Sequence, residues 1–335
     1  MVFQVTNTSR FHRDPGEEVK PVKSMYHLTQ EKMENIKQLI LTQLSEIESR
    51  YDVKILLAVE SGSRAWGFAS KDSDYDVRFV YVHRKDWYLK LVEGRDVIEE
   101  LDPNGVMDFA GWDLKKALLL MGKGNCAFAE WLNSPIVYYK DDEFFLRASQ
   151  LKDEYFRKVS AVYHYYHMAM NHDRRYLEKR GYELKRFLYF LRGILASLWV
   201  VQKGSYPPVL FCELIESLVL DEKLKEEIHK LVSLKMEGSE NNTVLVNNEL
   251  IDFASSIAEQ IKSMFGSFPS DEPRDYKNLD EFFINVLDSL PEKAAAHEKA
   301  QLAVDKFFAD NNLGVADIEA MLNEHMRTPY IHAQK

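Results

Sequence analysis

Residues 61–82 read SGSRAWGFASKDSDYDVRFVYV, and they follow VKILLAV at 53–59, a short apolar run with a β-branched residue at each end. A run of that length and composition fits a buried strand better than a helix. It leads straight into Gly62-Ser63. A strand ending this way makes a tight turn where glycine avoids a Cβ clash, so that backbone N–H groups and the Ser63 hydroxyl can face a phosphate chain. DYDVRFVYV then reads as a second strand, and its period of two puts Asp74, Asp76, Arg78 and Val80 on one face and Tyr75, Val77, Phe79 and Tyr81 on the other.

Working outward, DVIEEL (96–101) and GVMDFAG (105–111) read as two further strands, joined through Asp102-Pro103-Asn104-Gly105, whose chemistry favours a reversal. From Leu114 the character turns helical and stays so to about Leu322, with a basic helix over 179–203. Upstream, Thr29 is placed to cap a helix running to Arg50, with Met33, Ile36, Ile40, Leu41, Leu44 and Ile47 on one face. Strands followed by a long series of helices argue against a repeating βαβ fold. The fold class expected is α+β: an N-terminal arm (1–26), a mixed-sheet domain (27–135) and an all-helical domain (136–330).

Composition narrows the function. With 46% apolar and 29% charged residues over 335 positions, the chain has the makeup of a folded protein with enough length for two packed units. Two cysteines, Cys126 and Cys212, are too few for a disulfide framework or a thiolate zinc site. Neither a secretory peptide nor a membrane span is visible, so a soluble cytoplasmic protein with no membrane partner is expected. The net charge of −10 repels long nucleic acids as a whole, although Arg174, Arg175, Lys179, Arg180, Lys185, Arg186 and Arg192 form a local basic patch.

The chemistry rests on carboxylates. Two aspartates on one side of a strand raise each other's pKa unless a cation sits between them. A third acid on a neighbouring strand completes an oxygen shell of the kind magnesium prefers, and Asp108, between Met107 and Phe109, has that character. In a two-metal arrangement the ions stand about 3.5–4 Å apart, Asp74 and Asp76 touch both, and Asp108 touches the one that activates the acceptor hydroxyl. An isolated D-x-D also caps turns or makes a loose calcium site; it is the conjunction of strand, GS turn, D-x-D strand and later acidic strand that points to catalysis. Arg64 is a candidate for β- or γ-phosphate, Arg78 for pairing with a site carboxylate, and Ser73 for orienting Asp74 or touching phosphate. Tyr182, Lys185, Tyr189 and Arg192 recur at helical spacing, which suits a base beside a ring and Lys185 and Arg192 on the phosphates. The same tyrosines and cations equally suit a packed core with a solvated rim. Asp113 is placed to cap the helix after the Asp108 strand, and Glu130 and Trp131 read as packing residues.

GSRAWGFASKDSDYDVRFVYV (62–82), MDFAGWDLKKALLLMGKGN (107–125), AEWLNSPIVY (129–138) and GYELKRFLYFLRGILASLW (181–199) together resemble the predicted nucleotidyltransferase family of the DNA polymerase β superfamily, of the RNA repair pathway type. The superfamily pattern, GS then D-x-D then an acid between apolar residues, is met by Gly62, Ser63, Asp74, Asp76 and Asp108. The resemblance implies a polymerase β palm-like sheet domain, two Mg²⁺ (or Mn²⁺) ions, and a nucleoside triphosphate as co-substrate. It also implies attack of an acceptor hydroxyl on the α-phosphorus with release of pyrophosphate. An RNA 3′ end is favoured as acceptor; a small hydroxylated molecule, a protein side chain, and a non-catalytic nucleotide-binding regulator stay open. Oligomeric state and nucleobase preference are not encoded in any short signature here.

Overall fold

The computed structural model describes residues 22–102, 105–173, 182–238, 243–244, 246–268 and 274–291, of which 22–33, 172–173, 182–183 and 243–244 are described by their backbone alone. The order is α1 (Val22–Tyr51), β1 (Val53–Glu60), α2 (Gly62–Ala65), β2 (Tyr75–His83), α3 (Lys85–Tyr88), β3 (Val97–Leu101), β4 (Met107–Asp113), α4 (Leu114–Gly122), α5 (Cys126–Leu132) and β5 (Val137–Lys140). Helices then dominate: α6 (Asp142–Glu154), α7 (Lys158–Asp173), α8 (Leu184–Lys203), α9 (Phe211–Leu218), α10 (Glu222–Glu237), α11 (Asn248–Ser263) and α12 (Lys277–Ser289), with a two-strand ribbon of β6 (Tyr182–Glu183) and β7 (Thr243–Val244) between them. This is the α+β architecture expected.

Five strands form one sheet in the order β3-β4-β2-β1-β5. β1 runs antiparallel to β2 and β5, and β3 makes an antiparallel pair with β4 across the turn at Asp102. That turn is closed by the Gly105 N–H on the Asp102 carbonyl at 2.9 Å and by the Asp102 carboxylate, which accepts from the N–H groups of Val106 and Met107. β2 and β4 are parallel neighbours, in a register that sets Asp76 beside Asp108.

The strand period sorts the sheet's faces. Val77, Phe79 and Tyr81 are buried with Ile55, Ala58, Ile98, Met107 and Phe109 under Ile40, Leu44 and Ile47 of α1. Each fully buried large side chain contributes roughly 1.5–3 kcal/mol, which fixes the register, because a slip by one residue would turn the whole set toward water. That forces Asp76 and Arg78, the intervening residues, to the opposite face.

The segment after the GS turn joins a different core. Trp66 and Phe68 pack with α7 to α11, Trp66 edge-on to Tyr189 at 5.0 Å and Phe68 to Phe211 at 5.5 Å, while the Phe211 N–H donates to the Trp66 carbonyl at 3.0 Å. One stretch of chain therefore ties the sheet to the helices. Among the described residues, those at 22–83 and between 95 and 274 form one compact unit. Residues 84–94 with 275–291 form another, in which Lys85 pairs with Asp288 and Tyr88 packs edge-on to Phe283 at 5.1 Å.

Two expected helix boundaries move. α1 begins at Val22, so Thr29 lies within it and is not its cap. The basic helix begins at Leu184, which leaves Tyr182 on β6, paired with Val244, and outside the helix that carries Lys185, Tyr189 and Arg192. Arg174, Arg175, Lys179 and Arg180 lie outside the described residues.

Candidate active site

The site forms where β1 ends and β2 begins. Gly62 has φ +61, and a Cβ built on it would lie 2.3 Å from Asp76 Oδ2. Glycine is thus required twice over, for the left-handed backbone and for the closeness of the Asp76 carboxylate to the turn. The Ser61 N–H donates to the Asp76 carbonyl at 2.9 Å, stitching turn to strand. Ser63 is buried.

The parallel register places Asp76 and Asp108 side by side, and Arg78 spans them: its Nη2 donates to Asp76 Oδ1 at 2.9 Å and to Asp108 Oδ2 at 2.8 Å. Its Nη1 donates to the Asp108 carbonyl at 3.0 Å. Burial pushes the Asp76 carboxyl above its ordinary value. The Asp108 and Asp74 charges push the same way, against Arg78 and Lys185, which pull it down. Lys185 on α8 is therefore within electrostatic reach of Asp76. Asp74, just ahead of β2, is exposed.

Three expected phosphate ligands are engaged elsewhere. Arg64 donates to the backbone carbonyls of Asp74, at 3.0 Å, and Ser73, and its guanidinium lies 3.7 Å above the Tyr75 ring. It clamps the loop that carries Asp74. Ser73 is buried, its hydroxyl accepting from the Ser70 N–H at 3.0 Å and bonded to the Ser70 hydroxyl at 2.9 Å, which fits orienting the loop and not touching a ligand. Arg192 is fully enclosed: it donates to Glu130 at 3.1 Å and stacks 4.1 Å from the Trp66 ring. The structure thus corrects its assignment to the phosphates, because a guanidinium with no exposed surface links α5, α8 and the segment after the GS turn and meets no solute. Asp113 caps α4 by accepting from the Lys115 N–H at 2.9 Å.

Sequence reasoning missed three residues. Glu60, the last of β1, is fully buried; it accepts from the Asp76 N–H at 2.8 Å and from the Tyr138 hydroxyl. Burial raises its pKa to about 7, against the lowering effect of those hydrogen bonds and of Arg64. Its signal was a carboxylate ending an apolar strand immediately before the turn. Tyr138 gave no signal separable from ordinary packing. Lys235, only 2% exposed, sits 3.3 Å from the Ser73 hydroxyl and 3.4 Å from that of Ser70. It falls on the buried stripe of α10 with Ile228 and Leu231, and a lysine on such a stripe is the trace it leaves in the sequence.

Among the described residues no three carboxylate, imidazole or thiolate groups stand close enough together to ligate one ion. Two carboxylates do converge on a single cationic nitrogen, that of Arg78. An all-oxygen donor set that Arg78 leaves with a net negative charge fits a hard divalent ion in kind.

Fold and site together define a nucleotidyltransferase-like protein: a mixed sheet with a GS turn, an acidic strand start and a paired acid on the parallel neighbour. The chain belongs to the RNA repair pathway DNA polymerase beta family, whose model matches residues 36–285. It is 39% identical over 258 residues to the uncharacterized protein YcgL of Bacillus subtilis (strain 168), a match covering 76% of this chain and 98% of that one. A nucleotidyltransferase-like protein from Exiguobacterium sibiricum 255-15, known from its crystal structure, is 14% identical with a TM-score of 0.26, over 83% of this chain and 92% of that one; a likeness this loose says nothing of the site. No helix among the described residues is long and apolar enough to cross a membrane.

Proposed function

We propose that this protein transfers a nucleoside monophosphate from a nucleoside triphosphate to an acceptor hydroxyl. The observation that carries the reading is the parallel register that sets Asp76 beside Asp108, with the Gly62 turn pressed against the Asp76 carboxylate. Asp76 and Asp108, with Asp74 drawn in from its exposed position ahead of β2, would hold Mg²⁺ or Mn²⁺, which supplies charge neutralisation on the phosphoryl oxygens and a more acidic acceptor hydroxyl. The chain's own residues do the rest. Arg64 holds the Asp74 loop, Glu60 holds the Asp76 backbone, and Lys185 adds positive charge beside the acids. In the reaction an acceptor oxygen bonds the α-phosphorus, the bond to the bridging oxygen breaks, and pyrophosphate carries away the electron pair. No covalent enzyme intermediate is needed.

An RNA 3′ end remains the favoured acceptor, in keeping with the family's description and with Lys185 and Arg186 on α8. The test is pyrophosphate release from nucleoside triphosphates with Mg²⁺ or Mn²⁺ and, separately, RNA, small-molecule and protein acceptors. Release that depends on one acceptor class and vanishes in Asp76→Asn supports transfer and names the acceptor. Silence across all three, from folded protein, contradicts it. RNA binding should weaken steeply with salt, small-acceptor binding hardly at all.

A second reading, a nucleotide-binding regulator without catalysis, has one observation in its favour: Arg78 already bridges Asp76 and Asp108 and offsets half of their charge. Nucleotide affinity indifferent to metal would favour it.

A further inference from the structure

An open cavity of about 970 Å³ lies on the α1 side of the sheet, behind the GS turn, with Arg64, Tyr75, Ile136, Tyr138 and Met236 among its walls. Its size is that of a small-molecule site, which typically spans roughly 300–1,000 Å³. It is separate from the acid edge, because Tyr75 stands on the face opposite Asp76 and packs, with Tyr138, against the core under α1.

The lining has a definite chemistry. Two tyrosine rings and the aliphatic Ile136 and Met236 offer apolar surface, while the charged side chains are Lys37 and Arg64 against Glu34, a net positive balance. A flat ring bearing an anionic group suits such walls: the ring lies on tyrosine or on guanidinium, and the anion meets the cations.

The walls are also fastened to the backbone that carries the acids. Arg64 donates to the carbonyl of Asp74, Tyr75 is the residue between Asp74 and Asp76, and the Tyr138 hydroxyl donates to Glu60, which accepts from the Asp76 N–H. A ligand that shifts any of these side chains therefore acts on the acid edge through one or two hydrogen bonds.

We propose that this cavity binds a nucleoside monophosphate or a like-sized planar-ring anion, at a site distinct from the triphosphate and needing no metal. The proposal stands independently of nucleotidyl transfer. Titration calorimetry on the full chain in excess EDTA, with AMP, adenosine and inorganic phosphate as probes, tests it. AMP should bind, about 5-fold more tightly than adenosine, with inorganic phosphate weaker than either. Ile136→Trp and Met236→Trp each place an indole in the cavity from an exposed position, so folding is at little risk; melting curves check it. Both should weaken AMP at least ~10-fold, and Asp108→Asn should leave AMP binding unchanged.

Three results overturn the proposal: no AMP binding at millimolar concentration, undiminished binding in both tryptophan variants, or binding that requires Mg²⁺ and is lost in Asp108→Asn. That last result would place AMP at the acid edge. Metal-free AMP binding in a chain that never releases pyrophosphate would keep this site while contradicting transfer.

Discussion

On the central strand of the sheet Arg78 reaches two carboxylates, Asp76 and Asp108, with 19% of its side chain open to water. In the helical core Arg192 reaches one, Glu130, with none of its side chain open. Water can solvate a guanidinium that leaves the first position, and another cation can replace it; neither is possible at the second. The two arginines differ through their surroundings, since an exposed bridge is exchangeable and an enclosed one is part of the architecture. A site meant to trade one cation for another needs the first kind.

The largest effect separating the two regions should come from Arg192→Ala, which strands the Glu130 carboxylate and empties the space beside Trp66. We expect a loss of about 3–5 kcal/mol in urea unfolding, and a loss below about 1 kcal/mol would erase the distinction.

Glu60 is enclosed like Arg192, yet it holds the Asp76 backbone N–H beside the acid pair. Its folded pKa of about 7 stands above the ordinary 4.5, so the fold favours the neutral carboxyl. The stability this gives is complete below pH ~4.5 and is lost as pH rises through ~7, amounting to roughly 3 kcal/mol. In metal-free buffer Glu60→Gln should flatten that slope in a series of denaturant midpoints across pH. A slope unchanged by the substitution would remove Glu60 as its source.

Gly62→Ala should cost about 1–2 kcal/mol for the left-handed backbone alone, and should displace the Asp76 carboxylate as well. Metal-dependent nucleotide binding should therefore fall further than stability does. If stability falls and metal-dependent binding does not, the carboxylate has room elsewhere. The smallest change in stability belongs to Arg78→Gln, under about 1 kcal/mol in the same urea assay. A loss rivalling that of Arg192→Ala would make Arg78 a structural residue too.

How much of this was readable beforehand follows from geometry. A strand's period of two fixes which residues share a face, so Asp76 and Arg78 were placed correctly from DYDVRFVYV, and the apolar neighbours of Asp108 gave its strand away. A helix is harder, because spacing groups Lys185 with Arg192 without saying which side meets water. α8 is buried on nearly every side, and only the fold decides that Lys185 comes near Asp76 while Arg192 turns to Glu130. The place of Arg64 after the GS turn is plain in the sequence, but its grip on the Asp74 and Ser73 carbonyls is not, since it depends on the path of the loop. Lys235 lies 162 residues from the Ser73 it touches, and local sequence holds no trace of that pairing.

The most direct measurement is Mn²⁺ binding by electron paramagnetic resonance in the presence of a non-hydrolysable triphosphate, for the native chain, Asp76→Asn and Asp108→Asn. Bound Mn²⁺ is expected in the native chain and at least ~10-fold weaker binding in both variants, with unchanged melting curves. Equal Mn²⁺ affinity in all three proteins would contradict it.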